Sequence, residues 1–170
     1  MSDNKFYTLK GYTLLEGNSI TSSMEDYLEM IYRIHETSKA VRVGVVAERL
    51  HVKPSSATKM VANLKDQGLV SSEKYGYIQL TEAGIKLGQY LVFRHDTIHS
   101  LLCVINQSDN ELEQVEKIEH FINIETVENI RRFLDCLSAA GVGSDGSIVC
   151  SETAQSPARQ QSQARRRAQL

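Results

Sequence analysis

Six residues carry side chains whose types and spacing suit a divalent cation. Asp26 and Glu29 stand three apart in a stretch of helical periodicity, which places both on one face. His95 falls late in a long helical pattern, and Glu116, Glu119 and His120 follow at i, i+3, i+4, projecting from one side of a further helix. Four carboxylates and two imidazoles form an oxygen- and nitrogen-rich donor set for a hard or borderline metal, and a pair of ions could share the carboxylates. Residues 108–136 hold eight acids against three bases, net −5, a concentration that is costly unless a cation neutralises it. Each piece alone has a plainer reading. E-x-x-E-H on a helix is usually a solvated face, and Asp26 with Glu29 could simply complement a helix dipole. His99, one turn after His95, could ligate but is more often a surface or interface residue. His35 and His51 read as structural.

Such side chains need elements to hold them. Ser22 and Ser23 offer N-caps for a helix over about 23–37, whose apolar face is Met24, Tyr27, Leu28, Ile31, Tyr32 and Ile34. A short helix over about 43–50 ends in the turn His51-Val52-Lys53. The next helix opens at Pro54, a residue suited to the first helical position, and stops near Gly68, a C′ glycine. Leu69–Glu73 and Tyr77–Leu80 read as a hairpin joined around Tyr75-Gly76. Thr81 caps a long helix over about 82–105, and helices over about 110–121 and 125–138 complete the pattern.

The fold class expected is mainly α: a winged helix-turn-helix with a two-strand wing, followed by a helical domain. The expected division is an N-terminal arm at 1–20, the winged module at 21–81, the helical domain at 82–140 and a disordered tail at 141–170. The tail is rich in Gly, Ser, Gln and Ala and offers little apolar surface to offset its ordering entropy. In a chain of 170 residues, 41% hydrophobic and 24% charged, no apolar run approaches the length of a membrane span. The N-terminal stretch has no apolar core of a secretory signal, and Cys103, Cys136 and Cys150 form no CxxC pair. The expectation is a cytoplasmic protein in a reducing compartment, with no membrane partner and no small-molecule substrate.

Helix, short helix, turn, helix and hairpin is the layout in which a recognition helix enters the DNA major groove by its N-terminal residues. Here those are Ser55, Ser56, Thr58 and Lys59, preceded by Lys53, with Lys74 on the hairpin. Residues 41–80 hold six Lys/Arg against three acids, net +3, in a chain that is −2 overall. Double-stranded DNA is the expected partner. For single hydroxyls the competing reading is ordinary helix-start chemistry. A dinuclear metallohydrolase is a rival for the acid and histidine set, but the chain shows no nucleophile or positive clamp beside it. A winged-helix regulator with a non-metal effector is a further rival.

The stretches SMEDYLEMIY (23–32), HVKPSSATKMVANL (51–64), LVFRHD (91–96) and VEKIEH (115–120) resemble the diphtheria toxin repressor family, most closely its manganese-responsive branch, the manganese transport regulators. The resemblance runs from about Ser22 to Leu137. It implies a homodimer on a palindromic operator, repressing metal-uptake genes rather than acting as an enzyme. It also implies a two-metal site on Asp26, Glu29, His95, Glu116, Glu119 and His120. Iron-responsive relatives place a Met and a Cys where this chain has Asp26 and Glu116. Carboxylates there suit Mn²⁺, two ions per subunit, while Fe²⁺, Zn²⁺ or Cd²⁺ could bind in vitro. The wing tip Tyr75-Gly76-Tyr77 departs from the Arg-Gly of close relatives.

Overall fold

The computed structural model describes residues 20–38, 40–72 and 77–141. The expected arm over residues 1–19, the wing tip with Lys74, Tyr75 and Gly76, and the expected tail from residue 142 lie outside the described residues. In chain order the elements are α1 (Ser22–Ser38), β1 (Val41–Arg42), α2 (Val43–Arg49), α3 (Pro54–Asp66), β2 (Val70–Ser72), β3 (Tyr77–Leu80), α4 (Glu82–Asn106), α5 (Leu112–Ile118), a 3₁₀ turn (Glu119–Phe121) and α6 (Ile124–Ala139). They fall into two compact units, the first ending at His95 and the second beginning at Asp96.

In the first unit, α1 buries Met24, Tyr27, Leu28, Ile31, Tyr32 and Ile34, the face that the periodicity predicts. Its cap differs from expectation. The Thr21 carbonyl accepts the Met24 and Glu25 N–H groups and its Oγ1 accepts Met24 N–H at 3.3 Å, so Thr21 does what Ser22 or Ser23 was expected to do. The core closes around α1 with Val41, Val46, Ala47, Ala57, Val61, Leu64, Leu69, Val70, Ile78 and Leu91.

His51 turns the chain between α2 and α3 at φ +53°, with its N–H bonded to the Glu48 carbonyl and that of Val52 to Ala47. This left-handed position is one that few side chains tolerate, histidine among them. Gly68, at φ +70°, ends α3 as the C′ residue, where the Leu69 N–H returns to the Leu64 carbonyl.

The sheet has one strand more than the hairpin expected. Its order is β1-β3-β2, all antiparallel, with Val41 opposite Ile78, Arg42 opposite Tyr77 and Val70 opposite Leu80. A two-residue strand is too short to leave a period-2 signal; its partner in β3 creates it.

The first half of α4 belongs to this unit through two glycines. A Cβ on Gly84 would meet the Leu69 carbonyl oxygen at 2.0 Å, and one on Gly88 would meet the Tyr32 Cβ at 2.7 Å. Hydrogen there is what lets α4 lie against α1 and the start of β2. Thr81 caps α4, its Oγ1 accepting the Gly84 N–H at 3.1 Å, as expected.

In the second unit Ile98, Val115 and Val127 form a small core with Leu102, Ile118 and Ile122 packed against it. Asn123 caps α6 by accepting the Thr126 N–H at 2.9 Å. The expected continuous helix over 110–121 ends at Ile118. Ile118 leaves helical geometry at φ −123°, and the chain tightens into the 3₁₀ turn, a common finish for a helix.

Candidate metal centre and DNA-reading face

On α1, Asp26 and Glu29 occupy one face as the spacing requires. Glu29 lies beyond the first turn and is only 8% exposed, while Glu25 is the first-turn acid. A buried mid-helix carboxylate does not serve the helix dipole, whose influence is confined to the terminal turn. Burial penalises its charge unless cations or donors compensate. Two basic groups approach one of its oxygens: Arg33 Nε donates to Oε1 at 2.8 Å, and His95 Nδ1 lies 3.9 Å from the same Oε1. His95 is itself 8% exposed.

One turn earlier on α1, Arg94 donates to Glu25 at 2.8 Å with its side chain 4% exposed, and its guanidinium lies 5.9 Å from the Tyr90 ring centroid. Consecutive residues of α4 thus meet acids four apart on α1, and the two pairs hold the helices in register. Glu29 and His95 were expected together through the family resemblance, whereas the Glu25–Arg94 pair was not evident in the sequence. Glu25 and Arg94 are 69 residues apart, and nothing local marks them as partners.

Glu116, Glu119 and His120 do not share one α-helical face, because α5 stops before Glu119. Glu116 is exposed on α5, whereas Glu119 is 1% exposed in the 3₁₀ turn, with its Oε1 3.9 Å from Nε2 of the half-buried His120. Within each unit, then, a buried carboxylate oxygen and an imidazole nitrogen lie closer than the roughly 4.2 Å that two metal–ligand bonds of about 2.1 Å can span. In each unit this carboxylate and imidazole chemistry suits a divalent ion; of the other candidates, Asp26 in the first unit is half-buried and Glu116 in the second is exposed.

His99 has a different occupation. Its Nε2 accepts the Glu111 N–H at 3.3 Å at the start of α5, and its ring lies 3.7–3.8 Å from the buried Cys103 Sγ. Glu111 is held below the usual carboxylate range by hydrogen bonds from Ser108 and Asn106, with His99 adding to the effect. His99 ties α4 to α5.

The DNA-reading candidates are displayed as a recognition helix requires. Lys53, Ser55, Ser56, Thr58 and Lys59 are all exposed at the start of α3, while Ala57, Val61 and Leu64 fasten its other face to the core. Lys53, the N-cap residue, makes no side-chain capping hydrogen bond, and the Thr58 hydroxyl donates to the Pro54 carbonyl at 2.9 Å. Arg42, counted only as local charge in the sequence, stands across from Tyr77 at the base of the wing. Its guanidinium lies 4.6 Å from the Tyr77 ring centroid and donates to the Tyr77 hydroxyl. The cross-strand partner that exposes this arginine in a fixed pose appears only once β1 pairs with β3. Lys74 lies outside the described residues.

A winged helix-turn-helix joined to a helical unit with buried carboxylate and imidazole donors is the architecture of a metal-dependent DNA-binding regulator of transcription. Two family profiles cover the described chain: "Iron dependent repressor, N-terminal DNA binding domain" over residues 19–78, and "Iron dependent repressor, metal binding and dimerisation domain" over 81–141. The chain belongs to the iron dependent repressor family, and it is a transcriptional regulator rather than an enzyme. It is 45% identical over 112 residues to the HTH-type transcriptional regulator MntR of Geobacillus kaustophilus, covering 65% of this chain and 79% of that one. To the MntR of Oceanobacillus iheyensis it is 41% identical over 111 residues, covering 65% and 76%. The solved structure of the manganese regulator SloR matches with a TM-score of 0.60 at 30% identity over 68% of this chain. The chain spans about half of that regulator's length, 55%. Among the described residues no helix is long and apolar enough to cross a membrane.

Proposed function

We propose that this chain is a Mn²⁺-activated repressor of metal-uptake genes that binds a palindromic operator as a cytoplasmic homodimer. The observation that carries the reading is the buried Glu29–His95 pair, a ligand-competent carboxylate and imidazole 3.9 Å apart in the unit that contains the recognition helix. The proposed ligands are Asp26, Glu29, His95, Glu116, Glu119 and His120, holding two ions per subunit. Their oxygen-rich set favours Mn²⁺, and its similarity to a manganese regulator points the same way. Fe²⁺, Zn²⁺ and Cd²⁺ are competitors in vitro, since Mn²⁺ lies lowest in the Irving–Williams order.

The proposed DNA contacts are Lys53, Ser55, Ser56, Thr58, Lys59 and Lys74. Hydroxyls and lysines at a helix start can donate to base edges and phosphates. The division proposed is an arm at 1–20, the reading module at 21–81, the metal-binding and dimerisation domain at 82–140 and a tail at 141–170. Dimerisation has surface to use, because Ile105, Leu112, Phe121, Ile124 and Phe133 of the second unit are 48–63% exposed. Ion binding then selects the DNA-competent population from a broader ensemble.

Thermodynamic linkage supplies the test. DNA affinity is measured with and without Mn²⁺, and Mn²⁺ affinity with and without DNA, using duplexes from upstream of candidate metal-uptake genes. The two ratios must be equal, and in couplings of this kind they are about 5–150-fold. Ratios both near one overturn the regulatory reading.

A further inference from the structure

We propose that Arg33 is a resident cation of the metal centre: it neutralises Glu29 in the metal-free protein and so raises the Mn²⁺ concentration at which the protein responds. The proposal rests on the metal-centre reading above, with Glu29 as a ligand.

The geometry is local and strong. Arg33 follows Glu29 by four residues on α1, the favourable order for an acid and a base on one helix face. Its Nε lies 2.8 Å from Oε1, the same oxygen that lies 3.9 Å from His95 Nδ1. The Arg33 side chain is 36% exposed and that of Glu29 is 11% exposed, so a cation at the solvent margin reaches in to a carboxylate that is mostly withdrawn from water. Because both groups sit on one helix, the pair forms as soon as α1 does.

Two effects of opposite sign follow. A hydrogen bond to a ligand carboxylate orients it and strengthens metal binding. A fixed positive charge beside the ligand weakens binding, because it stabilises the metal-free carboxylate and repels the incoming ion. Magnitudes decide between them. An ion on Glu29 would lie within about 6 Å of the guanidinium, and even at the dielectric of bulk water charges of +1 and +2 at that range correspond to about tenfold in Kd. Orientation has less to add, since Glu29 is already confined by burial and by His95. The charge effect wins, and Arg33 acts as a brake on metal binding. It positions no ion itself; it sets the threshold.

The test uses full-length protein stripped with a chelator and titrated with MnCl₂ against a competing fluorescent chelator, with metal-free thermal melts alongside. Arg33→Gln keeps a hydrogen-bond donor and removes the charge. It should bind Mn²⁺ about tenfold more tightly and melt at a lower temperature without metal. Arg33→Lys keeps the charge and should remain within about threefold of wild type, even if the Gln variant folds poorly. The gap between Gln and wild type should narrow as salt is raised. Glu29→Gln separates the two readings. If it loses tight Mn²⁺ binding while Arg33→Gln binds no better than wild type, the assignment of Arg33 is overturned and the metal centre stands. If Glu29→Gln binds as wild type does, Glu29 is no ligand and both readings fall.

Discussion

Gly88 of α4 meets Tyr32 of α1 so closely that an added Cβ would lie 2.7 Å from the tyrosine Cβ. The two helices therefore pack at a separation set by a hydrogen atom, and the Glu25–Arg94 and Glu29–His95 pairs form at that separation. Gly88→Ala gains helix propensity but forces the helices apart, and overpacking of this kind costs about 1–3 kcal/mol. Urea denaturation should show that loss. Adding Tyr32→Gly should make the two changes non-additive, since it removes the Cβ as well as the ring carbons that the new methyl would meet.

Exchange of metal ligands tests the centre directly. Asp26→Met together with Glu116→Cys places softer donors in the site and should move the response from Mn²⁺ toward Fe²⁺. The measurement is DNA binding at graded concentrations of each metal under anaerobic conditions. An unchanged metal profile would show that these two residues do not choose the ion.

Lys59 and Arg42 are exposed cations on the reading unit, one on the recognition helix and one braced by Tyr77 at the wing. A cation at a phosphate contributes about 0.9 units to the slope of log K against log salt. Lys59→Ala and Arg42→Ala should each flatten that slope by about one unit on a 30-base-pair duplex. Arg131→Ala, whose guanidinium pairs with Asp135 on α6, should leave it unchanged. If Lys59 instead reads a base edge, discrimination at one position should relax by about 1–3 kcal/mol.

Phe121 and Phe133 are 60% and 54% exposed, an uncommon placement for phenylalanine. Phe133→Asp should shift sedimentation from dimer toward monomer at micromolar concentration while far-UV circular dichroism stays helical. A dimer that survives Asp at both positions would place the interface elsewhere.

The sequence made the helices legible because their apolar positions recur at 3.6-residue spacing, and α1, α3 and α4 appear within a residue or two of their expected bounds. Pro54 and Gly68 bracketed the recognition helix for local reasons, a ring suited to the first turn and a backbone that accepts positive φ. Features that depend on a partner were not legible. β1 exists only opposite β3, Arg94 meets its acid across 69 residues, and nothing local to the glycines at 84 and 88 signals the Leu69 carbonyl and Tyr32 that they admit. The break before Glu119 was hidden for another reason: i, i+3, i+4 spacing looks the same whether or not the winding tightens. Nothing in the spacing singles out Arg33, since an acid and a base four apart on a helix are common; its significance follows from the burial of the Glu29 carboxylate, which spacing alone does not report.

Thr81 closes the base of the wing. Its N–H donates to the Leu69 carbonyl at 3.1 Å, and its hydroxyl lies 2.7 Å from the Gly68 carbonyl and 3.1 Å from that of Leu69. The chain that leaves α3 is thus brought back to its point of departure before α4 begins, and the paired strands β2 and β3 are clasped at their base. Lengthening a closed loop is inexpensive, about 0.6 kcal/mol for each doubling. Val70 and Ile78 tie the two strands to the core above the clasp, so it is the stretch between Ser72 and Tyr77 whose length and charge an evolving lineage, or an engineer, can alter without disturbing the helices on either side.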